Sequence, residues 1–115
     1  MKLLNLNEKK KSLEHELTRI VDIIKNEYRP EKIILFGSLA SGNVHEWSDM
    51  DLLIVKRTNK RPVDRCVEIA KLVHPRVGID LFVYTPQECE ILFKEKSSLF
   101  MNILREGKVL YEKRD

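Results

Sequence analysis

Apolar residues recur along this chain in two spacings, and each spacing predicts a different kind of element. Between about Asn7 and Tyr28 they return every three or four residues, which predicts an amphipathic helix. Its apolar face would carry Leu13, Leu17, Ile20, Val21, Ile24 and Tyr28. The same spacing from about Pro62 to His74 predicts a second helix, with a proline in the first turn where its missing N–H does no harm.

Three shorter apolar runs predict strands. Lys32 to Phe36 is apolar after its lysine and follows the helix-stopping pair Arg29-Pro30. Asp49 to Val55 alternates between two faces, and Arg76 to Tyr84 is mostly apolar. The short turn between the first two strands predicts an antiparallel pair, whereas the helix between the second and third predicts a parallel crossover.

The last third of the chain predicts two further helices and a strand. Thr85-Pro86-Gln87-Glu88 has the spacing of a capping box, Ser98 to Leu104 predicts a helix closed by Gly107, and Lys108 to Tyr111 predicts a short edge strand. These elements together predict an α+β fold, a two-layer sandwich of a mixed β-sheet with helices on one face. We expect residues 1–115 to form a single domain, because a chain of this length builds one core.

Five positions are predicted to meet at one edge of the sheet. The first strand ends at Gly37, where the lack of a Cβ permits a sharp turn and the close approach of a phosphate. Ser38 begins a short helix that should end near Gly42. The second and third strands both begin at this edge. The positions that converge there are Gly37, Ser38, Asp49, Asp51 and Asp80.

The carboxylates among these residues are suited to metal chemistry. Asp49 and Asp51 are two residues apart on a strand, so both point to one face. Oxygen ligands of this kind suit Mg²⁺, and two ions about 3.5–4 Å apart are a common arrangement for displacement at phosphorus. Asp80 lies in an otherwise apolar strand, where a carboxylate is costly to bury unless cations or hydrogen bonds compensate it.

These residues resemble the signature of the DNA polymerase beta nucleotidyltransferase superfamily, most closely its minimal nucleotidyltransferase (MNT) branch. The resemblance spans roughly positions 30 to 112. It is carried by Ile34-Leu35-Phe36-Gly37-Ser38, by Ser48-Asp49-Met50-Asp51-Leu52-Leu53-Ile54-Val55, by Asp80 and by Leu104-Arg105-Glu106-Gly107-Lys108-Val109-Leu110-Tyr111. The resemblance implies that Gly37 and Ser38 bind a nucleoside triphosphate. It also implies that Asp49, Asp51 and Asp80 are catalytic and hold two Mg²⁺ ions.

The same resemblance implies a reaction and a partner. Superfamily members transfer a nucleoside monophosphate from ATP or another triphosphate to a hydroxyl and release pyrophosphate. Stand-alone MNT proteins are often paired with a helical HEPN toxin and act as its antitoxin by placing AMP on a toxin tyrosine. Adenylylation of an antibiotic or another small molecule is a further alternative, which ranks last because the chain is too short for the domain that would shape such a pocket. A homodimer remains open.

One departure from the MNT pattern favours a competing hypothesis. Many MNT proteins have arginines after the Gly-Ser pair, whereas this chain continues as Leu39-Ala40-Ser41-Gly42. Arginine holds phosphate through two parallel hydrogen bonds that a hydroxyl does not reproduce. The alternative is therefore a catalytically weak or inactive antitoxin that binds its partner and retains the fold, with or without nucleotide binding.

Composition and charge add limits. The net charge of +3 does not by itself predict a nucleic-acid partner. The basic residues between Lys56 and Arg65, at the edge opposite the carboxylates, are predicted to form a solvated linker, with a patch for an acidic partner as the alternative. Cys66 and Cys89 lack metal-type neighbours, which predicts reduced thiols. No apolar run is long enough to span a membrane, so we expect a cytoplasmic protein. His45 and Trp47 precede the carboxylates but are interpreted as loop side chains outside the site.

Overall fold

A computed structural model describes residues 5–45 and 49–114 of the chain. The helices are α1 Leu6–Ile23, continued by a π-helical turn Ile24–Tyr28, then α2 Gly37–Ser41, α3 Pro62–Val73, α4 Pro86–Lys94 and α5 Ser98–Glu106. The strands are β1 Lys32–Phe36, β2 Met50–Val55, β3 Ile79–Tyr84 and β4 Lys108–Glu112. Trp47 and Ser48 lie outside the described residues. Among the helices described, none has the length and apolar character needed to cross a bilayer.

The strands form one mixed sheet in the order β3-β2-β1-β4. β1 pairs antiparallel with both β2 and β4, and β2 pairs parallel with β3, as the connections predict. Phe36 at the end of β1 lies opposite Asp51, and Asp51 lies opposite Asp80. This register places the end of β1 and the starts of β2 and β3 at the same edge.

Helices cover both faces of the sheet, which corrects the expectation of helices on one face. The larger core joins α1 and α3 to the face that carries Ile33, Leu52 and Ile54. The second core joins Phe100 and Ile103 of α5 to Ile34 and Leu53 on the opposite face. The central strands β1 and β2 are apolar on both faces, so each face needs a helical cover. The predicted α+β class and mixed sheet are confirmed.

Local signals explain where several helices begin and end. Thr85 and Glu88 form the predicted capping box at the start of α4, with Thr85 accepting from the Glu88 N–H and Glu88 accepting from the Thr85 N–H. Ser97 accepts from the Phe100 N–H at the start of α5, and Gly107 follows its end. Arg29 ends the π-helical turn in the left-handed conformation at φ 55°, just before Pro30.

The basic segment after β2 is solvated at Arg57, Lys60 and Arg61, as predicted, but Arg65 and Lys56 bind groups inside the same domain. Arg65 is buried and donates to the carbonyls of Lys60 and Val83 and to both carboxylate oxygens of Glu88. Lys56 donates to the carbonyl of Tyr28 and stands over its ring. The remaining ion pairs of the segment are Arg57 with Glu31, Lys60 with Glu68 and Arg61 with Asp64. Much of this charge therefore ties elements together.

Both cysteines are free and half-buried. Cys66 packs against the larger core and donates to the carbonyl of Leu81, while Cys89 packs against the second core. Burial raises the pKa of both thiols. The predicted pair of free thiols is present in the fold.

Candidate active site

The turn at the end of β1 requires glycine for two reasons. Gly37 has φ 75°, a conformation that L side chains rarely adopt. A Cβ on Gly37 would also lie 2.1 Å from Oδ2 of Asp51, far inside van der Waals contact. The chain therefore brings a bare backbone against a carboxylate at this edge of the sheet.

Three carboxylates share this edge. Asp51 and Asp80 are register partners on β2 and β3, and Asp49 immediately precedes β2. Met50, Leu52 and Leu81 belong to the larger core, so the alternation of strand residues turns Asp51 and Asp80 toward the opposite face, the one that α4 and α5 partly cover. The predicted convergence of Asp51 with Asp80 is observed in the strand register.

A second glycine, which the sequence analysis did not identify as a site residue, makes room for the third carboxylate. A Cβ on Gly78 would lie 2.3 Å from Oδ1 of Asp49. The carbonyl of Gly78 accepts a hydrogen bond from the N–H of Met50 at 3.1 Å, which joins the start of β2 to the segment before β3. The signal in the sequence is a glycine two residues ahead of the strand carboxylate Asp80.

The carboxylates perturb one another. Burial, a hydrogen bond with the Asp80 side chain and the negative charges of Asp80 and Asp49 together raise the pKa of Asp51 to about 6. Asp49 and Asp80 are exposed, whereas Asp51 is half-buried. Negative charge is thus concentrated here at neutral pH. The carboxylate whose pKa is raised, Asp51, lies beside Gly37.

This donor set fits a divalent cation in its chemistry. All three donors are carboxylate oxygens, which hard cations such as Mg²⁺ prefer, and the raised pKa of Asp51 shows that its charge lacks compensation. Within residues 5–45 and 49–114, no three His, Cys, Asp or Glu side chains are already arranged as a closed metal site. Uncompensated carboxylates repel, so a bound cation would have to draw these three together.

The short helix α2 follows Gly37 and contains the second predicted binding residue. Ser38 is half-buried in its first turn, and its carbonyl accepts from the N–H of Gly42. Leu39 and Ala40 are buried in the larger core, which explains why an apolar residue occupies the first of the positions where many MNT proteins have arginine. The hydroxyl of Ser41, at the second, donates to the Ser38 carbonyl.

Two aromatic rings border the carboxylates on the same face. Phe36 lies opposite Asp51 in the β1–β2 register, and Phe82 is two residues beyond Asp80 on β3. Their ring centroids are 5.8 Å apart at an angle of 50°, within the usual range for a tilted aromatic pair. The pair joins the carboxylate cluster to the second core.

Comparisons with known proteins identify the family of this chain. The family described as "Polymerase beta, Nucleotidyltransferase" matches residues 18–115. A Methanocaldococcus jannaschii protein named "Putative protein adenylyltransferase" is 39% identical over 103 residues, which cover 85% of this chain and 97% of the relative. A second protein of that organism with the same descriptive name is 34% identical over 85 residues, covering 70% of this chain and 58% of the relative.

Two solved structures share the fold. A chain described as a "putative nucleotidyltransferase from Sulfolobus solfataricus" superposes with a TM-score of 0.66 at 19% identity, covering 97% of this chain and 91% of that one. A chain from a structure described as "the toxin-antitoxin with AMP-PNP" superposes with a TM-score of 0.53 at 21% identity, covering 84% of this chain and 73% of that one.

Proposed function

Because this chain belongs to the polymerase beta nucleotidyltransferase family, we propose that it is a Mg²⁺-dependent adenylyltransferase that moves AMP from ATP to a hydroxyl of a protein acceptor. The α+β fold and the nucleotidyltransferase class confirm two predictions made from the sequence. We propose, beyond the fold and class, the identity of the metal, the nucleotide and the acceptor, and the roles of individual residues.

The observation that carries the proposal is that Asp49, Asp51 and Asp80 lie at the sheet edge where β1 ends at Gly37. At Gly37 the backbone turns with a positive φ and has no Cβ to keep a phosphate chain away, and Ser38 supplies a hydroxyl and an N–H in the turn that follows. Mg²⁺ held by the three carboxylates would neutralise the triphosphate and increase the acidity of the acceptor hydroxyl.

The chain's own groups then have distinct tasks. The acceptor oxygen forms a bond to the α-phosphorus, and the bond from that phosphorus to the bridging oxygen breaks, which releases pyrophosphate. The exposed carboxylate of Asp80 takes the proton from the acceptor hydroxyl. Phe36 and Phe82 form an apolar border between the carboxylates and the second core.

We propose that the acceptor is a tyrosine of a helical HEPN-type toxin and that the chain acts as the toxin's antitoxin. A relative that this chain covers almost completely is named as a protein adenylyltransferase, which supports a protein acceptor. A structural neighbour comes from a toxin–antitoxin with AMP-PNP, which supports an adenine nucleotide and a toxin partner. The tyrosine and the HEPN class come from the MNT resemblance.

A second candidate function is partner binding without transfer. The observation that favours it is the sequence after Gly37-Ser38, where Leu39 is buried and Ser41 bonds its own helix. Neither residue supplies a cation to a triphosphate. An antitoxin of this kind would neutralise its partner by contact alone.

Labelled ATP separates the two candidates. The chain is incubated with α-labelled ATP, Mg²⁺ and the purified product of the neighbouring gene, and label on that protein is followed by gel and mass spectrometry. The Asp49→Asn, Asp51→Asn double variant is compared with Asp22→Asn, which makes the same chemical change at an exposed position of α1.

An enzyme predicts label on a partner tyrosine that the double variant abolishes and Asp22→Asn retains. If the partner is neutralised equally well by the double variant and without label, the binding candidate replaces the enzyme. Transfer to the partner that persists in the double variant would contradict the assignment of the site.

A further inference from the structure

Glu16 is a buried carboxylate on α1 that lies far along the chain from the candidate active site. It is 4% exposed and lies among the apolar residues of the helix face. Its two oxygens accept from Nε and Nη2 of Arg19, each at 2.7 Å. One of them also accepts from the backbone N–H of Arg76 at 2.7 Å. These bonds lower the pKa of Glu16 to about 2.

These contacts hold the segment that connects α3 to β3. Arg19 donates to the carbonyl of His74 at 3.2 Å, and Glu16 accepts from Arg76 two residues later. His74 has φ 44°, so the chain reverses there in a conformation that is unfavourable for a residue with a side chain. Two points of one short segment are thus attached to α1.

The same segment continues directly into the carboxylate cluster. Two residues after Arg76, Gly78 faces the carboxylate of Asp49 and accepts from the N–H of Met50. Asp80 follows two residues later in β3. There is no room for a side chain at position 78, because a Cβ there would lie 2.3 Å from Oδ1 of Asp49. A shift of the segment would therefore change how the backbone of Gly78 sits against the carboxylate of Asp49.

We propose that Glu16 is a positioning residue for the active site. Through Arg19 and the backbone of Arg76 it holds residues 74–78 at the position that lets Asp49 and Asp80 face Asp51. The inference rests on the proposed function, in which these carboxylates hold Mg²⁺. An ion pair suits this task because its hydrogen bonds have direction, whereas an apolar contact in the same place would let the segment slide.

Metal binding by the protein without nucleotide tests the proposal. Mn²⁺ replaces Mg²⁺, and the free ion is measured by electron paramagnetic resonance. Glu16→Gln is expected to weaken Mn²⁺ binding about tenfold, since residues that orient ligands typically change metal affinity by about 10- to 100-fold. Glu14→Gln, an exposed change on the same helix, should leave Mn²⁺ binding unchanged.

A second control separates positioning from general stability. Glu88→Gln removes the carboxylate that Nη1 and Nη2 of buried Arg65 contact, in a part of the fold away from the carboxylate cluster. It should lower stability without changing Mn²⁺ binding. The contacts of Glu16 with Arg19 and with the N–H of Arg76 form a clamp, which Arg19→Lys should disrupt more mildly. This variant is used if circular dichroism shows that Glu16→Gln fails to fold, and it should also weaken Mn²⁺ binding.

Amide hydrogen exchange tests the clamp independently of any metal. Glu16→Gln should accelerate exchange at the N–H groups of Arg76 and Met50, whereas Glu88→Gln should not do so selectively. The proposal would be overturned if exchange at both amides were unchanged. It would also be overturned if Glu16→Gln and Glu88→Gln weakened Mn²⁺ binding equally. If exchange responds as expected but the unaltered protein transfers no AMP to its partner, the proposed function fails while the mechanical link stands. Transfer that persists in the Asp49→Asn, Asp51→Asn variant would contradict only the assignment of the site.

Discussion

Two glycines and three aspartates show how closely backbone and side chains approach in the candidate site. Gly37 and Gly78 each face a carboxylate at a distance that a Cβ would make impossible without movement. Of these two glycines, only Gly37 has a positive φ. The two positions therefore depend on glycine for different reasons, and substitutions can distinguish the need for space from the need for an unusual backbone conformation.

Alanine at Gly37 should impair the site, whereas alanine at Gly42 should not. Both glycines have a positive φ, at 75° and 84°, so both changes carry a similar backbone strain of about 1 kcal/mol. A Cβ at Gly42 meets nothing within 4 Å, but one at Gly37 meets Asp51. We expect Gly37→Ala to reduce AMP transfer about a hundredfold by displacing that carboxylate. Equal rates for the two variants would contradict this explanation.

The ion pair of Glu16 should make stability depend on acid pH. Its pKa is lowered in the folded protein from 4.5 to about 2, so its contribution is complete above about pH 4.5 and is lost as pH falls through about 2. Glu16→Gln should lower the free energy of unfolding by about 2 kcal/mol at pH 7. In urea titrations this difference should shrink below pH 4.5. A difference that is constant from pH 7 to pH 2 would show that the charge is not responsible.

Between elements, side-chain hydrogen bonds connect parts of the chain that the apolar core alone would leave free to slide. Arg65 on α3 binds the end of β3 and the capping box of α4, and so joins the helices on the two faces of the sheet. Lys56, just after β2, binds the carbonyls that end the π-helical turn. Cations that composition assigns to the surface thus act as internal ties.

Arg65→Lys should lower the free energy of unfolding far more than Arg61→Lys. Arg65→Lys keeps the positive charge but loses the planar group that contacts four oxygens at once, and we expect the free energy of unfolding to fall by about 2 kcal/mol. Arg61→Lys alters an exposed pair with Asp64 and should change stability by no more than about 0.5 kcal/mol. Chemical denaturation compares the two, and similar losses would show that Arg65 acts only through its charge.

Across the whole molecule, the two ends of the sheet have different characters. The ends of β2 and β3 nearest Gly37 carry the aspartates. An open cavity of about 340 Å³ lies between α4, α5 and the other end of the strands, with Leu53, Val55 and Phe100 in its lining. None of the five predicted site residues lines that cavity. The chemistry that we propose is therefore assigned to the carboxylate edge and not to this cavity.

Repulsion at the carboxylate edge should make the protein less stable without metal. In EDTA at pH 8, Asp51→Asn is expected to raise the thermal midpoint, because it removes a charge that burial and two neighbouring carboxylates disfavour. Adding Mg²⁺ and AMP-PNP should reverse the order, since ligand at a hundred times its dissociation constant stabilises the unaltered protein by about 2.7 kcal/mol. Asp22→Asn serves as the control. A lower midpoint for Asp51→Asn in EDTA would contradict the repulsion.

Much of the fold and of the candidate site was available from local information. Apolar spacing located the strands and the longer helices, and the crossover connection predicted that Asp51 and Asp80 begin neighbouring parallel strands. Hydrophobic period, turn glycines and capping residues act over a few residues, so they can be recognised without knowledge of the rest of the chain. The family resemblance added the chemistry that we propose for these positions.

Other features depend on contacts between distant positions. Glu16 looks like an exposed helix residue in the sequence, yet it binds a backbone N–H 60 residues away. Gly78 looks like an ordinary loop glycine until Asp49 is packed against it. The second helical layer also depends on packing. The pattern of a strand that is apolar on both faces does not indicate which helix will cover which face. A local sequence pattern indicates the conformation and burial that a residue prefers. The residue that it contacts is determined only by the tertiary fold.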